Sequence, residues 1–222
     1  IAEKDAFLAN KHKYTKHAPA LPLYTIKDAE AALKQLRPIP FHKEIELPGG
    51  GQVKLRRAGH ILGAANAELH WGGKTIVFSG DIGRYGDPFM LDPEPVAAAD
   101  YVLVESTYGD RTHPKNDPME ALGDVIEKTV RRGGTVIIPA FAVGRAQLIM
   151  YYLWKLKQAG RIKIVPIFLD SPMAINATDL LCRHLDDHRL SPDVCKQSCD
   201  IATYLREVDD SKRITRDTTP KV

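Results

Sequence analysis

The sequence predicts a mixed α/β fold, with an antiparallel, β-rich first half and a parallel α/β second half. Before about residue 105, short segments alternate apolar and polar residues around glycine turns. After that point, short apolar runs alternate with segments of helical character. The pattern changes near residues 110–116, so we expect two domain portions, at 1–112 and 113–222.

The first half is predicted to form one helix followed by two hairpins. The helix covers residues 25–36, is capped near Thr25 or Asp28, and stops before the prolines that follow it. The hairpins cover residues 41–57 and 67–79, and each has glycines in its central turn. Polar residues that could carry chemistry therefore fall at the ends of strands.

The second half is predicted to alternate helices with buried strands. Pro118 suits the first turn of a helix that Asn116 or Asp117 can cap and that runs to about residue 132. The elements expected after it are a buried strand at 135–139, a helix at 143–158, a buried strand at 163–169 and a helix from 171 onward. Strands and helices that alternate through short connections indicate a parallel α/β unit.

The composition is that of a folded cytoplasmic protein. With 222 residues and 44% hydrophobic content, the chain can bury a substantial core. The net charge of +3 permits a polyanionic partner but does not require one. No apolar run approaches the roughly 18 residues of a membrane span, and no signal peptide is recognisable, so no membrane association is expected.

Three cysteines lie in the last fifth of the chain, at Cys182, Cys195 and Cys199. Their odd number does not suit a disulfide framework, and we expect reduced thiols. Cys195 and Cys199 could share one face of a helix and could hold zinc with His184 or His188. That spacing matches no common Cys/His site, so the sequence does not favour a metal there.

Two glycine-framed turns carry the strongest candidates for metal ligands. His60 lies in A-G-H-I-L-G-A, and Asp81 lies in S-G-D-I-G, each directly after a predicted strand. Imidazole nitrogen and carboxylate oxygen suit a divalent metal in a hydrolytic site. Each residue has a simpler interpretation: His60 as a turn residue bonded to the backbone, and Asp81 as an Asx-turn or a helix cap.

A third candidate, Glu105, follows a strand that appears buried in the sequence, V-L-V-E. Glu105 could instead form a structural ion pair, for example with Arg111. The spacing places His60, Asp81 and Glu105 at the same edge of one sheet, where polar residues are hard to explain by packing. Together they predict a metallohydrolase site.

Two later turns are candidate phosphate sites. Arg145 follows the segment P-A-F-A-V-G at the predicted start of a helix, and Ser171 begins the next helix in L-D-S-P-M-A. A helix N-terminus offers free N–H groups to an anion, and a guanidinium adds a second favourable contact. The alternatives are a structural ion pair for Arg145 and an ordinary cap for Ser171.

Four motifs occur in the order A-G-H-I-L-G-A, S-G-D-I-G, V-E-S-T-Y-G-D-R and I-P-A-F-A-V-G-R-A-Q. Together, over roughly residues 20–220, they resemble the β-CASP branch of the metallo-β-lactamase superfamily. That branch includes the RNase J group, the endonuclease subunit of the cleavage and polyadenylation machinery, and prokaryotic RNA-specificity metallohydrolases. The resemblance implies part of a metallo-β-lactamase αββα sandwich, followed by part of a parallel α/β β-CASP domain.

The same resemblance implies the roles of the candidate residues. His60 would be a metal ligand, Asp81 the carboxylate that bridges two zinc ions, and Glu105 the catalytic acidic residue that opens the inserted β-CASP domain. The implied activity is a zinc-dependent phosphodiesterase or ribonuclease that hydrolyses single-stranded RNA with a two-metal-activated water. DNA is a weaker alternative substrate. Endo- or exonucleolytic cleavage and a homo-oligomeric state are both left open.

One part of the family pattern is missing. Such enzymes carry an upstream H-x-H-x-D-H motif, and this sequence has no H-x-H. The closest imitation, residues 184–188, has two histidines four apart in the wrong domain, and we interpret it as a solvated helix end. We therefore expect an internal piece of a longer enzyme, with an incomplete metal site that holds zinc weakly. The alternative is a non-catalytic RNA-binding or scaffold subunit, although the retained His60, Asp81 and Glu105 favour the enzyme.

Overall fold

The computed structural model describes residues 2–162 and 165–218. The chain forms two compact units, Ile1–Pro40 and Phe41–Val222. The predicted division between residues 112 and 113 lies inside the second unit and stays a prediction. In the described part of the chain, no helix is both long enough and apolar enough to cross a membrane.

The first unit contains two helices, α1 (Ala2–His12) and α2 (Ile26–Leu33). Helix α2 begins where the sequence predicted, because Thr25 and Asp28 form a capping box. The Thr25 hydroxyl accepts the Asp28 N–H at 3.3 Å, and the Asp28 carboxylate accepts the Thr25 N–H at 2.8 Å. The helix ends at Leu33, three residues earlier than predicted, and a looser turn follows.

A five-stranded sheet dominates the start of the second unit. Its strands are β1 (Glu44–Glu46), β2 (Gln52–Arg57), β3 (Ala65–Trp71), β4 (Lys74–Phe78) and β5 (Tyr101–Leu103), and they lie in that order across the sheet. Strands β1 to β4 form an antiparallel meander, so both predicted hairpins are confirmed. Strand β5 joins β4 in parallel, with Val77 opposite Val102.

The last strand departs from its prediction. The run V-L-V-E suggested a buried strand, but β5 is exposed on both faces, with Val102 62% and Leu103 52% exposed. The cause is its position, since β5 is the edge strand of the sheet and its apolar side chains find no cover among the described residues. An apolar sequence predicts a tendency to be buried, whereas burial itself requires a packing partner.

Helices dominate the remainder of the second unit. They are α3 (Pro118–Arg131), α4 (Arg145–Gln158), α5 (Pro172–Leu181), a 3₁₀ turn at Leu185–Asp187, α6 (Pro192–Cys199) and α7 (Val208–Thr218). Asp117 caps α3 by accepting the Met119 N–H at 2.8 Å, as the sequence predicted. Strands β6 (Phe168–Leu169) and β7 (Thr203–Tyr204) pair in parallel, with α5 and α6 between them.

The strand predicted at residues 135–139 does not form a ladder with any described strand. Val136 packs against the first core cluster, but Ile137 and Ile138 are exposed, at 81% and 38%. The prediction was wrong for the described residues because β-structure requires a paired neighbour as well as an apolar sequence. The predicted neighbour at 163–169 is reduced to Phe168–Leu169, and residues 163–164 lie outside the described residues.

Two clusters form the core of the helical part. One surrounds Leu156 and Ile126, between α3 and α4. The other joins α4 to α6 and to the loop before β5, through Phe89, Met90, Tyr151, Leu181, Leu190, Cys195 and Cys199. The second cluster also holds His188, which is only 4% exposed and stacks on Phe89 with ring centroids 6.0 Å apart. The interpretation of residues 184–188 as a solvated helix end was therefore wrong for His188.

Ion pairs connect the sheet to the helical part within the second unit. The Arg57 guanidinium, at the end of β2, contacts both Glu94 and Asp187 at 3.0 Å. Arg189 donates to the carbonyl oxygen of Met90 at 2.9 Å and pairs with Asp92 at 2.6 Å. The end of the sheet is thus held against the segment that precedes α6.

Candidate active site at the end of the sheet

The topology of the sheet determines where the candidate ligands meet. Strand β3 runs antiparallel to both β2 and β4, and β5 runs parallel to β4, so β2, β4 and β5 share one direction. Their carboxyl ends therefore lie at the same edge, within about 5–15 Å of one another at the usual strand spacing. His60 follows β2, Asp81 follows β4, and Glu105 follows β5.

The turn that carries His60 is closed by its own backbone. The Ala58 N–H donates to the Ala64 carbonyl at 2.9 Å, and the Ala64 N–H donates to the Ile61 carbonyl at 3.0 Å. Gly59 has a φ of 69°, and a Cβ there would lie 2.6 Å from the carbonyl oxygen of Leu91. Glycine is required at this position because the turn needs both a left-handed residue and a close approach.

The turn that carries Asp81 packs directly on the His60 turn. The Gly83 N–H donates to the Ala58 carbonyl at 2.8 Å. A Cβ on Gly83 would overlap the carbonyl group of Gly59 and would lie 2.7 Å from the His60 nitrogen. The two motifs are therefore parts of one backbone arrangement, and Gly83 is needed for their approach.

Glu105 connects the third turn to this arrangement. Its carboxylate accepts the Ile82 N–H at 3.0 Å and the Thr107 N–H at 3.3 Å, and its own N–H donates to the Ser79 hydroxyl at 3.0 Å. The hydrogen bond from Ile82 contributes most to a lowered pKa of the Glu105 carboxyl, followed by the contacts with Thr107 and, last, the charge of His60. The ion pair considered for Glu105 is absent, since Arg111 pairs with Asp110 at 2.9 Å.

The side chains of His60 and Asp81 are exposed and uncommitted. Neither forms a hydrogen bond or ion pair with any described residue. Asp81 therefore acts as neither an Asx-turn nor a helix cap in the described structure, and the ring of His60 is not bonded to the backbone. Fixed backbone with free polar side chains is the arrangement expected of residues that await a ligand.

The side chains of His60 and Asp81 are of types that bind zinc, but they are fewer than the ligands that zinc requires. An imidazole and a carboxylate are both common zinc ligands, and zinc prefers about four ligands in tetrahedral geometry. Within residues 2–162 and 165–218, a group of three or more clustered donors is found at the cysteines alone. The described residues therefore bring too few donors together at this edge to complete a zinc site.

The start of α4 packs against the His60 turn. Gly144, the N-cap residue, has a φ of 80°, and a Cβ on it would lie 2.8 Å from the Ile61 side chain. The cap has no side-chain hydrogen bond, and α4 begins at Arg145. The exposed Arg145 side chain forms no ion pair or hydrogen bond with any residue that the structure describes. The predicted phosphate contact is untested, but the alternative of a structural ion pair is not observed.

Ser171 caps α5, accepting the Ala174 N–H at 3.2 Å. Its predicted phosphate contact therefore remains open beside a confirmed capping role. Gln147, which the sequence reasoning missed, connects the two turns: its buried amide lies 3.0 Å from the Ala142 carbonyl and 2.9 Å from the Thr178 hydroxyl. The sequence feature that could have identified Gln147 is its position at the end of the motif A-F-A-V-G-R-A-Q.

Comparison with known proteins gives the same family as the motifs. The family model of the Beta-Casp domain matches residues 146–222. A ribonuclease of Thermus thermophilus is 40% identical over 154 residues, which cover 69% of this chain and 35% of that protein. Cleavage and polyadenylation specificity factor 73 of Drosophila melanogaster is 35% identical over 68% of this chain and 22% of its own length.

An RNase J-like protein of Methanocaldococcus jannaschii is 31% identical over 73% of this chain and 39% of its own length. The four motifs, the domain match and these relatives agree on one class of protein. The chain is similar to proteins of the β-CASP family, and its residues 146–222 match the Beta-Casp domain. It spans between about a fifth and two fifths of the length of these three relatives.

Proposed function

We propose that this chain supplies part of the active site of a zinc-dependent ribonuclease that cleaves single-stranded RNA. In this proposal, residues 1–112 are part of a metallo-β-lactamase sandwich and residues 113–222 are part of the β-CASP domain. The observation that carries it is that the turns of His60, Asp81 and Glu105 meet at one edge of the sheet. Two hydrogen bonds hold them together: the Gly83 N–H donates to the Ala58 carbonyl, and the Ile82 N–H donates to the Glu105 carboxylate.

His60 and Asp81 would hold metal, because their side chains are exposed and uncommitted on a rigid backbone. Asp81 has two oxygens and can contact two cations, which would partly offset their repulsion. Two bound zinc ions would supply a water of lowered pKa and stabilise charge on the phosphodiester oxygens. The remaining ligands would come from residues outside this chain, because its sequence lacks an H-x-H motif.

Glu105 would act on the site through the backbone. Its carboxylate accepts the N–H of Ile82, the residue after Asp81, and so orients the metal-binding turn. The Glu105 carboxylate is charged at neutral pH, as an ordinary glutamate is, so the hydrogen bond from Ile82 is made to an anion and is stronger for it; the same bond lowers the pKa of Glu105.

Arg145 and Ser171 would bind the RNA backbone. Arg145 extends from the N-terminus of α4, which packs on the turn of His60, so a phosphate bound there would lie beside the metal-binding edge. The Ser171 hydroxyl accepts a backbone N–H and keeps its own proton to donate to a phosphate oxygen. The relatives named as ribonucleases support RNA as the substrate.

The test is cleavage of a labelled single-stranded RNA by the longer protein that contains this chain, with and without zinc. We expect zinc-dependent cleavage that a chelator stops and that added zinc restores. A DNA strand of the same sequence serves as the control for substrate class. RNA binding without cleavage in the presence of zinc would instead indicate a scaffold subunit, and faster cleavage of DNA would indicate a DNA-directed nuclease.

A further inference from the structure

Three thiols converge where the end of α5 meets α6, beside the second core cluster. Cys182 follows α5, while Cys195 and Cys199 lie four residues apart on α6. The Cys182 sulfur is 3.5 Å from that of Cys195 and 3.1 Å from that of Cys199. All three Sγ atoms lie within 4.8 Å of one another.

These separations suit a shared metal better than a covalent bond. A disulfide requires sulfurs about 2.05 Å apart, and it could join only two of the three. Tetrahedral zinc, with Zn–S bonds of about 2.3 Å, places its sulfur ligands about 3.8 Å apart. The Cys182 sulfur lies 3.5 and 3.1 Å from the other two, somewhat closer than that value, and all three sulfurs lie within 4.8 Å of one another.

The thiols lie mainly among apolar residues, and the backbone that carries them is held in place. Cys195 and Cys199 are 1% and 7% exposed, against apolar residues that include Phe89 and Leu181. The backbone of α6 is fixed nearby, because the Tyr204 hydroxyl donates to the Cys199 carbonyl at 2.8 Å. Cys182 is only half-buried, so one side of the cluster faces solvent.

His188 lies beside the cluster but is committed elsewhere. Its Nδ1 accepts the Leu190 N–H at 3.2 Å, so its proton resides on Nε2. That Nε2 lies 3.2 Å from the Leu181 carbonyl and 3.9 Å from the Cys195 sulfur. In this arrangement the Nε2–H of His188 faces the Leu181 carbonyl and the Cys195 sulfur, so His188 would support a metal-bound thiolate and would not itself bind the metal.

We propose that Cys182, Cys195 and Cys199 bind one structural zinc ion, with a solvent molecule as the fourth ligand on the Cys182 side. The ion would join the end of α5 to α6 and so stabilise the second core cluster. The three thiols must lose their protons on binding, so affinity should rise with pH. This site is separate from the proposed catalytic metals, because it shares no ligand with them.

The experiment measures metal in the 222-residue chain purified with zinc under reducing conditions. We expect about one zinc per chain, and X-ray absorption should give about three sulfur ligands near 2.3 Å. Substituted cobalt should show thiolate-to-metal charge transfer and the intense visible bands of tetrahedral coordination. These spectra use the unaltered chain and therefore do not depend on whether a variant folds.

Variants then assign the ligands. Cys182→Ser, Cys195→Ser and Cys199→Ser should each reduce bound zinc at least about tenfold, as expected for loss of one of few ligands. Ser198→Ala, on the same helix, is the matched control and should retain zinc. His60→Ala combined with Asp81→Ala should also retain it, which separates this site from the catalytic one.

Several outcomes would overturn the proposal. One is a chain that takes up no zinc or cobalt while its three thiols remain reduced. Another is zinc that persists in all three serine variants or disappears with His60 and Asp81. A third is a chain lighter by two hydrogen atoms with one reactive thiol, which would identify a disulfide pair instead of a metal site.

Discussion

The sheet edge is recognisable from sequence motifs but brings few donor atoms together, whereas the thiol cluster brings three donor atoms together without a recognisable motif. At the sheet edge, four specific motifs point to the candidate residues, but in the described structure His60 and Asp81 belong to no cluster of three donors. At the thiol cluster, the spacing of the cysteines matches no common motif, yet three donor atoms already converge within 4.8 Å.

The difference follows from what each region must do. Metal ligands in a catalytic site need open positions for water and substrate, so they lie at strand ends and remain exposed. The thiol cluster takes its donors from two elements that pack together, with Cys195 and Cys199 buried and Cys182 leaving one side open to solvent. A motif therefore locates the first kind of site well, whereas the second kind is found only after the chain is folded.

Among the substitutions that test this contrast, replacement of Asp81 is expected to have the largest effect on RNA cleavage. In the longer protein, Asp81→Ala should reduce RNA cleavage by more than about 100-fold, because even residues that only orient metal ligands contribute about 10- to 100-fold. His60→Ala should do nearly the same. RNA affinity should remain near normal, since the proposed phosphate contacts lie on α4 and α5. Cleavage rates and filter-binding affinities measure the two quantities separately.

Near-normal cleavage by Asp81→Ala would contradict the assignment of Asp81 as a metal ligand. The cysteine variants provide the comparison from the other region. They should lower thermal stability and leave the chemistry per folded molecule unchanged. A loss of cleavage in folded cysteine variants would mean that the two regions are not independent.

A second prediction concerns the packing of the two turns. Gly83→Ala should destabilise the second unit by about 3 kcal/mol, at the upper end of overpacking effects, because its Cβ would overlap the Gly59 carbonyl. Gly86→Ala is a control in the same loop: a Cβ there meets nothing within 4 Å, although its φ of 69° adds a backbone cost that Gly83, whose φ is not in the left-handed region, does not carry.

The control should cost about 1–2 kcal/mol from backbone conformation alone. Chemical denaturation of the two variants and the parent measures the difference. Equal losses at both positions would mean that the turns of His60 and Asp81 are not held by this close approach.

A third prediction concerns pH. The pKa of Glu105 is lowered in the folded protein, so its bonds to Ile82 and Thr107 contribute fully above the unfolded value of about 4.3 and are lost as the pH falls through the folded pKa. Glu105→Ala should slow cleavage about 10- to 100-fold. Glu105→Gln should recover part of this, because its amide oxygen can still accept the Ile82 N–H.

A carboxyl-specific NMR titration of the chain tests the direction of the shift. Glu105 should titrate below the ordinary range for glutamate, and the Ile82 amide signal should move with it. Titration of Glu105 at or above that range, or an Ile82 amide that does not respond, would contradict the positioning role.

Local signals in the sequence were sufficient for much of the fold. The hairpin around Gly72 and Gly73 and the capped start of α3 at Asp117 depend on residues within a few positions of one another. The meeting of the His60, Asp81 and Glu105 turns at one edge was also predictable in outline, because each residue follows a strand.

The remainder depended on long-range packing. The exposure of β5 and the unpaired segment at 135–139 were missed because an apolar run does not specify its own partner. The thiol cluster was missed because Cys182 and Cys199 come together only when α5 and α6 pack against one core. Gln147 gave no signal beyond its place in a motif, since its three acceptors lie on two separate segments.

The smallest effect is expected at Arg145, which tests whether the helical part contacts RNA beside the sheet edge. Arg145→Ala should weaken RNA binding a few-fold for every sequence alike and reduce the slope of log affinity against log salt by about 0.7, as expected for the loss of one contact to a single strand. Thermal stability should not change, because the guanidinium forms no ion pair with any described residue. Arg145→Lys should restore the slope but only part of the affinity, since lysine keeps the charge and loses the two-pronged geometry. RNA affinity measured across a salt series distinguishes a phosphate contact from a structural role. An unchanged slope with a marked fall in thermal stability would make Arg145 a structural residue and leave the phosphate contact without support.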